Sequence, residues 1–195
     1  MKNGIEEIET FSPTSRQDWR QWLAENHHSK TSIWLIYYKK QAKMPTISWS
    51  EAVDEALCFG WIDSVQKPID GEKFMQFFSK RKTNSVWSKI NKGKVQQLIA
   101  ENKMTEAGYK SIEIAQQNGS WTILDEAEEL IIPEDLNKAF TLQTGSKDFF
   151  LSLSKSGQKA ILQWLVLAKL AETRQKRINE IAELAAQKLK PKQFR

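Results

Sequence analysis

The chain sets out its apolar residues in two rhythms, one suited to helices and one to strands. Trp19, Trp22 and Leu23 recur at i, i+3 and i+4, a single stripe of a helix that begins near Pro13. Thr14 with Gln17, or Ser15 with Asp18, supplies the reciprocal cap of its first turn. Residues 32–38, SIWLIYY, are apolar almost without a break and rich in aromatic and branched types, which predicts a strand covered on both faces. Ser48 with Glu51 forms a second capping box, and Trp49, Val53, Ala56, Leu57 and Gly60 lie along the face of the helix it opens. Trp34, Trp49, Val53, Leu57 and Trp61 are expected in one core, because that helix must cover the apolar strand. Gly60 fits the end of the helix, where a left-handed residue closes the last turn.

Residues 61–67 and 73–79 flank Asp70-Gly71, the mark of a two-residue hairpin turn, with Pro68 placed just before it. From Ser85 the helical spacing returns through Trp87, Ile90, Val95, Leu98 and Ile99, and a further helix runs from Thr105 to Asn118-Gly119. After an acidic loop, Pro133 is placed as a first-turn residue with Glu134 and Asp135 at the positive end of the dipole. The last 50 residues read as helical throughout. Ala160, Ile161, Trp164, Leu165 and Ala168 form one stripe, and Ile178, Ile181, Ala182, Ala185 and Leu189 another, after a bend near Thr173. The order predicts an α+β fold: a small antiparallel or mixed sheet with helices on it over residues 1–122, then an α-helical region over residues 123–195 packed on or beside it.

Composition narrows the class. With 40% hydrophobic residues and eight Trp among 195 residues, the chain can build a core without covalent staples. Its single cysteine excludes an internal disulfide and suits a reducing compartment. The start, MKNGIEEIETFSP, has neither an apolar run nor a small-residue cleavage site. The densest apolar stretch, from Ala160 to Leu170, is broken by Gln163 and Lys169 and falls short of the roughly 20 residues that a membrane span needs. A cytoplasmic protein with no membrane span is expected.

The net charge of +5 is unevenly placed. Lys80, Arg81, Lys82, Lys89, Lys92 and Lys94 follow one another with no acid between Ser79 and Lys94, whereas Asp125, Glu126, Glu128, Glu129, Glu134 and Asp135 form an acidic stretch. That asymmetry points to an anionic partner at the basic end.

Three segments carry a family resemblance. The first runs from Ile33-Trp34-Leu35 through Lys39-Lys40 to the string from Ser50 to Asp63, which contains EALCFGWID. The second runs from Phe78-Ser79-Lys80-Arg81 to Ser85-Val86-Trp87-Ser88-Lys89-Ile90-Asn91, and the third from Ala168 to Ile178. Together they resemble the YdeI/OmpD-associated, or bacteriocin-protection, family of bacteria. Ser79 and Lys80 stand where relatives often carry a proline, and Leu170 replaces a usual polar residue. The resemblance implies a part in protection against bacteriocins or antimicrobial peptides, a stress response, and a link to an outer-membrane porin. It brings no reaction with it. Without an export signal, the porin link is expected to be indirect.

Motifs for phosphate-binding loops, dinucleotide folds, serine hydrolases and zinc proteases are missing from the sequence. No catalytic residue, cofactor or metal ligand is expected. Cys58 lies among Leu57, Phe59 and Trp61, which favours an inert core thiol. His27-His28 are adjacent at a helix end and read as surface residues. Asp63 follows Trp61 on the same strand face and needs a partner, for which Arg81 at the far end of the second hairpin strand is the candidate. The segment from Ser85 to Ser88 reads as a helix start whose N–H groups, with Arg81, suit an anion. Trp61, Asp63, Arg81, Ser85, Trp87, Ser88 and Asn91 are therefore the expected binding residues. Their partner is a small anionic ligand or an acidic partner. Nucleic acid is the first alternative, with Trp87 as a stacking platform in the basic 79–94 segment; an enzyme with an unrecognised site, using Asp63 as acid or base, is the second.

Overall fold

The structure is a computed structural model, and it describes residues 9–195; most of the start on which the expectation about an export signal rests, residues 1–8, lies outside the described residues. The chain divides between Trp121 and Thr122 into two compact units. A mixed sheet occupies the first, and helices alone make up the second, so the fold is α+β.

In the first unit, β1 (Thr10–Phe11), β2 (Ser32–Tyr38), β3 (Trp61–Pro68) and β4 (Lys73–Lys80) form one sheet in the order β1-β2-β4-β3. β1 runs parallel to β2, and the other neighbours are antiparallel. On β2, Ile33, Leu35 and Tyr37 enter the core, and Ile33 pairs with the buried Phe78 of β4. Trp34, Ile36 and Tyr38 point the other way and stay partly exposed. The strand expected to be covered on both faces is thus buried on one. Alternation decides this: Trp34, between two core residues, packs on the outer face against Phe77 at 5.1 Å between ring centres.

α1 (Arg16–Asn26) begins at Ser15, whose hydroxyl accepts the N–H of Asp18 at 3.1 Å. The Asp18 carboxylate bonds back to the N–H and hydroxyl of Thr14, one residue earlier than a strict capping box. Trp19 and Leu23 are buried, and the Trp19 indole donates to the carbonyl of Ala52 at 3.0 Å. That bond ties α1 to α2 (Trp49–Cys58), which opens with the full Ser48–Glu51 capping box. Ala52, Val53, Ala56, Leu57 and Cys58 join the core with Trp61. Trp49 does not. As the first residue of α2 it projects from the helix end, half exposed, and its indole donates to Asp63 at 2.9 Å.

Gly60 ends α2 at a φ of +71°, and a Cβ there would meet the Ala107 carbonyl oxygen at 2.9 Å. The β3–β4 turn differs from the two-residue type that Asp70-Gly71 suggests. Pro68 pairs with Phe74, Gly71 does not take a positive φ, and the Asp70 carboxylate accepts the N–H groups of Glu72 and Lys73, both at 2.8 Å. A longer loop is closed by that side chain.

α3 (Lys89–Ala100) starts later than the Ser85 stripe implies. Ser88 is its cap, with its hydroxyl accepting the N–H of Asn91 at 3.2 Å. Trp87, Val95 and Leu98 are buried, whereas Ile90 is 71% exposed and Ile99 also turns outward. α4 (Glu106–Gln117) is capped by Thr105 and followed by Gly119 at a φ of +78°.

The second unit contains α5 (Asp125–Glu128), α6 (Glu134–Thr141), α7 (Ser146–Ser152), α8 (Lys155–Val166) and α9 (Ala171–Ala186). Leu136, Phe140, Phe150, Ile161, Leu165, Ile178 and Ile181 share its core. Pro133 caps α6 from outside its first turn, and Arg174 of α9 grips Asp135 of α6 through Nε at 2.7 Å and Nη2 at 3.0 Å. The break expected near Thr173 falls at residues 167–170. None of the described helices is long and apolar enough to cross a membrane.

Candidate functional site

A cavity of about 640 Å³ opens in the first unit where the ends of several elements meet. Its size suits a small organic molecule. The α2–β3 corner supplies Phe59 and Gly60, the end of β4 supplies Lys80 and Arg81, and the following loop supplies Lys82, Thr83 and Trp87. Thr105, Glu106, Ala107, Lys110, Ser111 and Ile114 come from the start of α4, and Ala24, His27 and His28 from the end of α1.

Three contacts hold this corner in place. The N–H of Arg81 donates to the Gly60 carbonyl at 2.9 Å. The N–H and hydroxyl of Thr105 both reach the Cys58 carbonyl, at 3.1 and 2.6 Å. α4 approaches so closely because Gly108 faces the Cys58 carbonyl: a Cβ there would lie 2.3 Å from that oxygen.

Arg81 is the chemical centre of the cavity. Its guanidinium carbon lies 3.7 Å above the Trp87 ring, and Nη2 donates to the Val86 carbonyl at 2.7 Å. Nε and Nη1 are buried with no hydrogen-bond partner. Burial pulls the guanidinium pKa down to about 10, against the opposing charge of Asp63, and leaves the group protonated at neutral pH.

Around it the cavity wall is basic. Lys80 donates to the His28 carbonyl at 2.9 Å, and Lys82 and Lys110 form no ion pair among the described residues. Glu106 is the carboxylate of the lining. The imidazoles of His27 and His28 meet at 3.7 Å between centres, and His27 also packs on Phe59. Nδ1–H of His27 donates to the Leu23 carbonyl at 2.8 Å.

The residues expected to bind from sequence are not gathered into one site. Arg81 and Trp87 line the cavity, but Trp61, Asp63, Ser85, Ser88 and Asn91 do not. Trp61 is fully buried. Asp63 makes no ion pair with Arg81; it accepts from Trp49 and from Gln76, at 2.9 and 3.1 Å. The N–H of Ser85 closes a turn onto the Lys82 carbonyl at 2.9 Å, and the Ser88 hydroxyl is used by Asn91. The basic run is also divided, since Lys94 is bound to Asp54 at 2.5 Å and to Ser50 at 2.8 Å. Trp87, 1% exposed and faced by Arg81, has no open face for a nucleobase.

Sequence reasoning gives no site role to Phe59 or Lys110 and reads the histidines as surface residues. Adjacent side chains diverge within a helix, but His27 is the C-cap of α1 and His28 lies past its end, where that rule lapses. Cys58, buried beneath this corner, has its thiol pushed up to about 11, first by burial and then by Glu55. Among the described residues, no cluster of His, Cys, Asp and Glu could hold a metal ion.

Residues 11–111, just over half of the chain, match the family model described as a domain of unknown function (DUF8412). Residues 129–188 match the model described as "Bacteriocin-protection, YdeI or OmpD-Associated", the family suggested by the sequence strings. The EALCFGWID string lies within the first match. No curated protein and no solved structure matches the chain.

Proposed function

For a chain that belongs to the domain-of-unknown-function family matched over residues 11–111, we propose that the first unit is a receptor for a small anionic ligand, bound in the cavity beside Arg81. One observation carries the reading: a protonated guanidinium lines a ligand-sized cavity with two of its nitrogens buried and unpartnered. A desolvated cation without an acceptor costs free energy that a bound anion offsets. The surrounding lysines add attraction of the same sign. Trp87 and Val86 hold the guanidinium plane in place, which limits the ordering cost of binding.

The single buried thiol suits a cytoplasmic setting. Protection against bacteriocins or antimicrobial peptides, which the description matched by residues 129–188 names, gives the physiological context, and the bound anion is the signal or cargo in it.

Thermal unfolding in inorganic phosphate, against chloride at matched ionic strength, tests the reading. At 100 times Kd, mass action contributes about 2.7 kcal/mol, a rise of about 5–10 °C in Tm for a chain of this size. Arg81→Gln is expected to lose most of that rise, and Arg81→Lys to keep only part of it, since an ammonium lacks the planar fork. An equal rise in wild type and both variants refutes the reading.

A further inference from the structure

We infer that the ligand class is an organic phosphate, a dianionic head group on an apolar body, and not a simple carboxylate; this rests on the receptor reading above. The first argument is charge. The cavity wall carries four permanent cations, Lys80, Arg81, Lys82 and Lys110, against one carboxylate, Glu106. Lys82 and Lys110 have no acid partner among the described residues, so their charge acts on whatever enters. A carboxylate brings one negative charge and leaves most of that field uncompensated. A phosphate monoester, mostly doubly charged above its second pKa of about 6, meets it more fully.

The second argument is donor geometry. Nε and Nη1 of Arg81 are buried without a hydrogen-bond partner, and Nη2 keeps a second N–H beyond the one it gives to the Val86 carbonyl, so the guanidinium has donors to spare in more than one direction. The lysine ammonium groups approach from other elements, the loop after β4 and the helix α4. The three terminal oxygens of a tetrahedral phosphate can serve donors arriving from several sides, whereas a planar carboxylate suits a single fork.

Volume and lining supply the body. About 640 Å³ is far more than inorganic phosphate fills, and Phe59, Ala107 and Ile114 offer apolar surface beside the basic wall. Displacing water from that surface adds affinity that a bare anion does not gain.

Calorimetric titration of the full chain at pH 7.5 with phenyl phosphate, benzoate and inorganic phosphate tests the class. Phenyl phosphate is expected to bind at least about tenfold more tightly than either of the others, a factor of about 1.4 kcal/mol. In the double variant Lys82→Ala/Lys110→Ala, its advantage over benzoate should shrink to about threefold or less. Both lysines are exposed, so that variant is expected to fold. If benzoate binds as tightly as phenyl phosphate and both are lost in Arg81→Gln, the phosphate class is overturned while the receptor reading stands. If phenyl phosphate binds wild type and Arg81→Gln equally, or no probe binds at millimolar concentration, both are overturned.

Discussion

Replacing Gly108 by alanine puts a methyl group 2.3 Å from the carbonyl oxygen of Cys58 and 2.9 Å from its carbon. These are backbone atoms that cannot swing aside. Helix propensity favours alanine by at most about 1 kcal/mol. Against it stands overpacking, about 1–3 kcal/mol. The displaced carbonyl also accepts both Thr105 bonds, each worth about 1 kcal/mol. The net is a loss of about 2–4 kcal/mol, read as a lower urea midpoint at unchanged slope. Gly93→Ala is the control: that glycine lies inside α3, exposed, with nothing within 4 Å of an added Cβ. It should stabilise by about 0.5–1 kcal/mol. A Gly108→Ala protein at least as stable as wild type would mean that α4 does not sit against the α2–β3 corner as described, and the cavity wall built on that contact would fall with it.

Two further perturbations test the same corner. With the Cys58 thiol raised from an ordinary 9.0 to about 11, native alkylation by iodoacetamide at pH 7.5 should be about 100-fold slower than in urea, and equal rates would contradict the burial. Because the folded pKa is the higher one, this stabilising contribution is complete below pH 9 and lost as pH rises towards 11, so the urea midpoint of wild type should fall more steeply than that of Cys58→Ala over that interval. Glu55, 2% exposed, binds Arg16 at 2.5 Å and Arg20 at 2.6 Å, and Glu55→Gln should cost about 2–4 kcal/mol by leaving two part-buried cations without their counter-ion; a change below 0.5 kcal/mol, on the order expected of a surface site, would refute that account.

What could be read from the sequence was local. The Ser48–Glu51 box, the Gly60 terminus, and the Thr105 and Asn118-Gly119 limits of α4 depend on a few neighbouring residues, and the structure has each of them. The errors arose where tertiary context decides. An unbroken apolar strand does not reveal whether its second face is covered, so Trp34 was assigned to the core. Trp49 fits the stripe of α2 by spacing, yet as the first helical residue it has no preceding turn to pack on. Ile90 likewise fits a stripe drawn from Trp87, but Trp87 precedes the Ser88 cap and sets no helical phase for α3.

The cavity was harder still to foresee. Its walls come from residues 24–28, 59–60, 80–87 and 105–114, four segments far apart in sequence that meet through tertiary contacts, among them Gly60 and Gly108 packing at the corner and Lys80 bonded to the His28 carbonyl. Composition pointed to an anion and to Arg81. The cluster of seven residues drawn around Arg81 followed chain proximity instead, and most of it serves caps, turns and the core.

A crystal of the protein soaked with phenyl phosphate tests the central claim, that the cavity beside Arg81 is the binding site. The account predicts phosphate oxygens within hydrogen-bonding distance of the Arg81 guanidinium, with the phenyl ring against Phe59, Ala107 or Ile114. Phosphate seated instead on the Ser88 end of α3, or anywhere that leaves Nε and Nη1 of Arg81 without an acceptor, would contradict it.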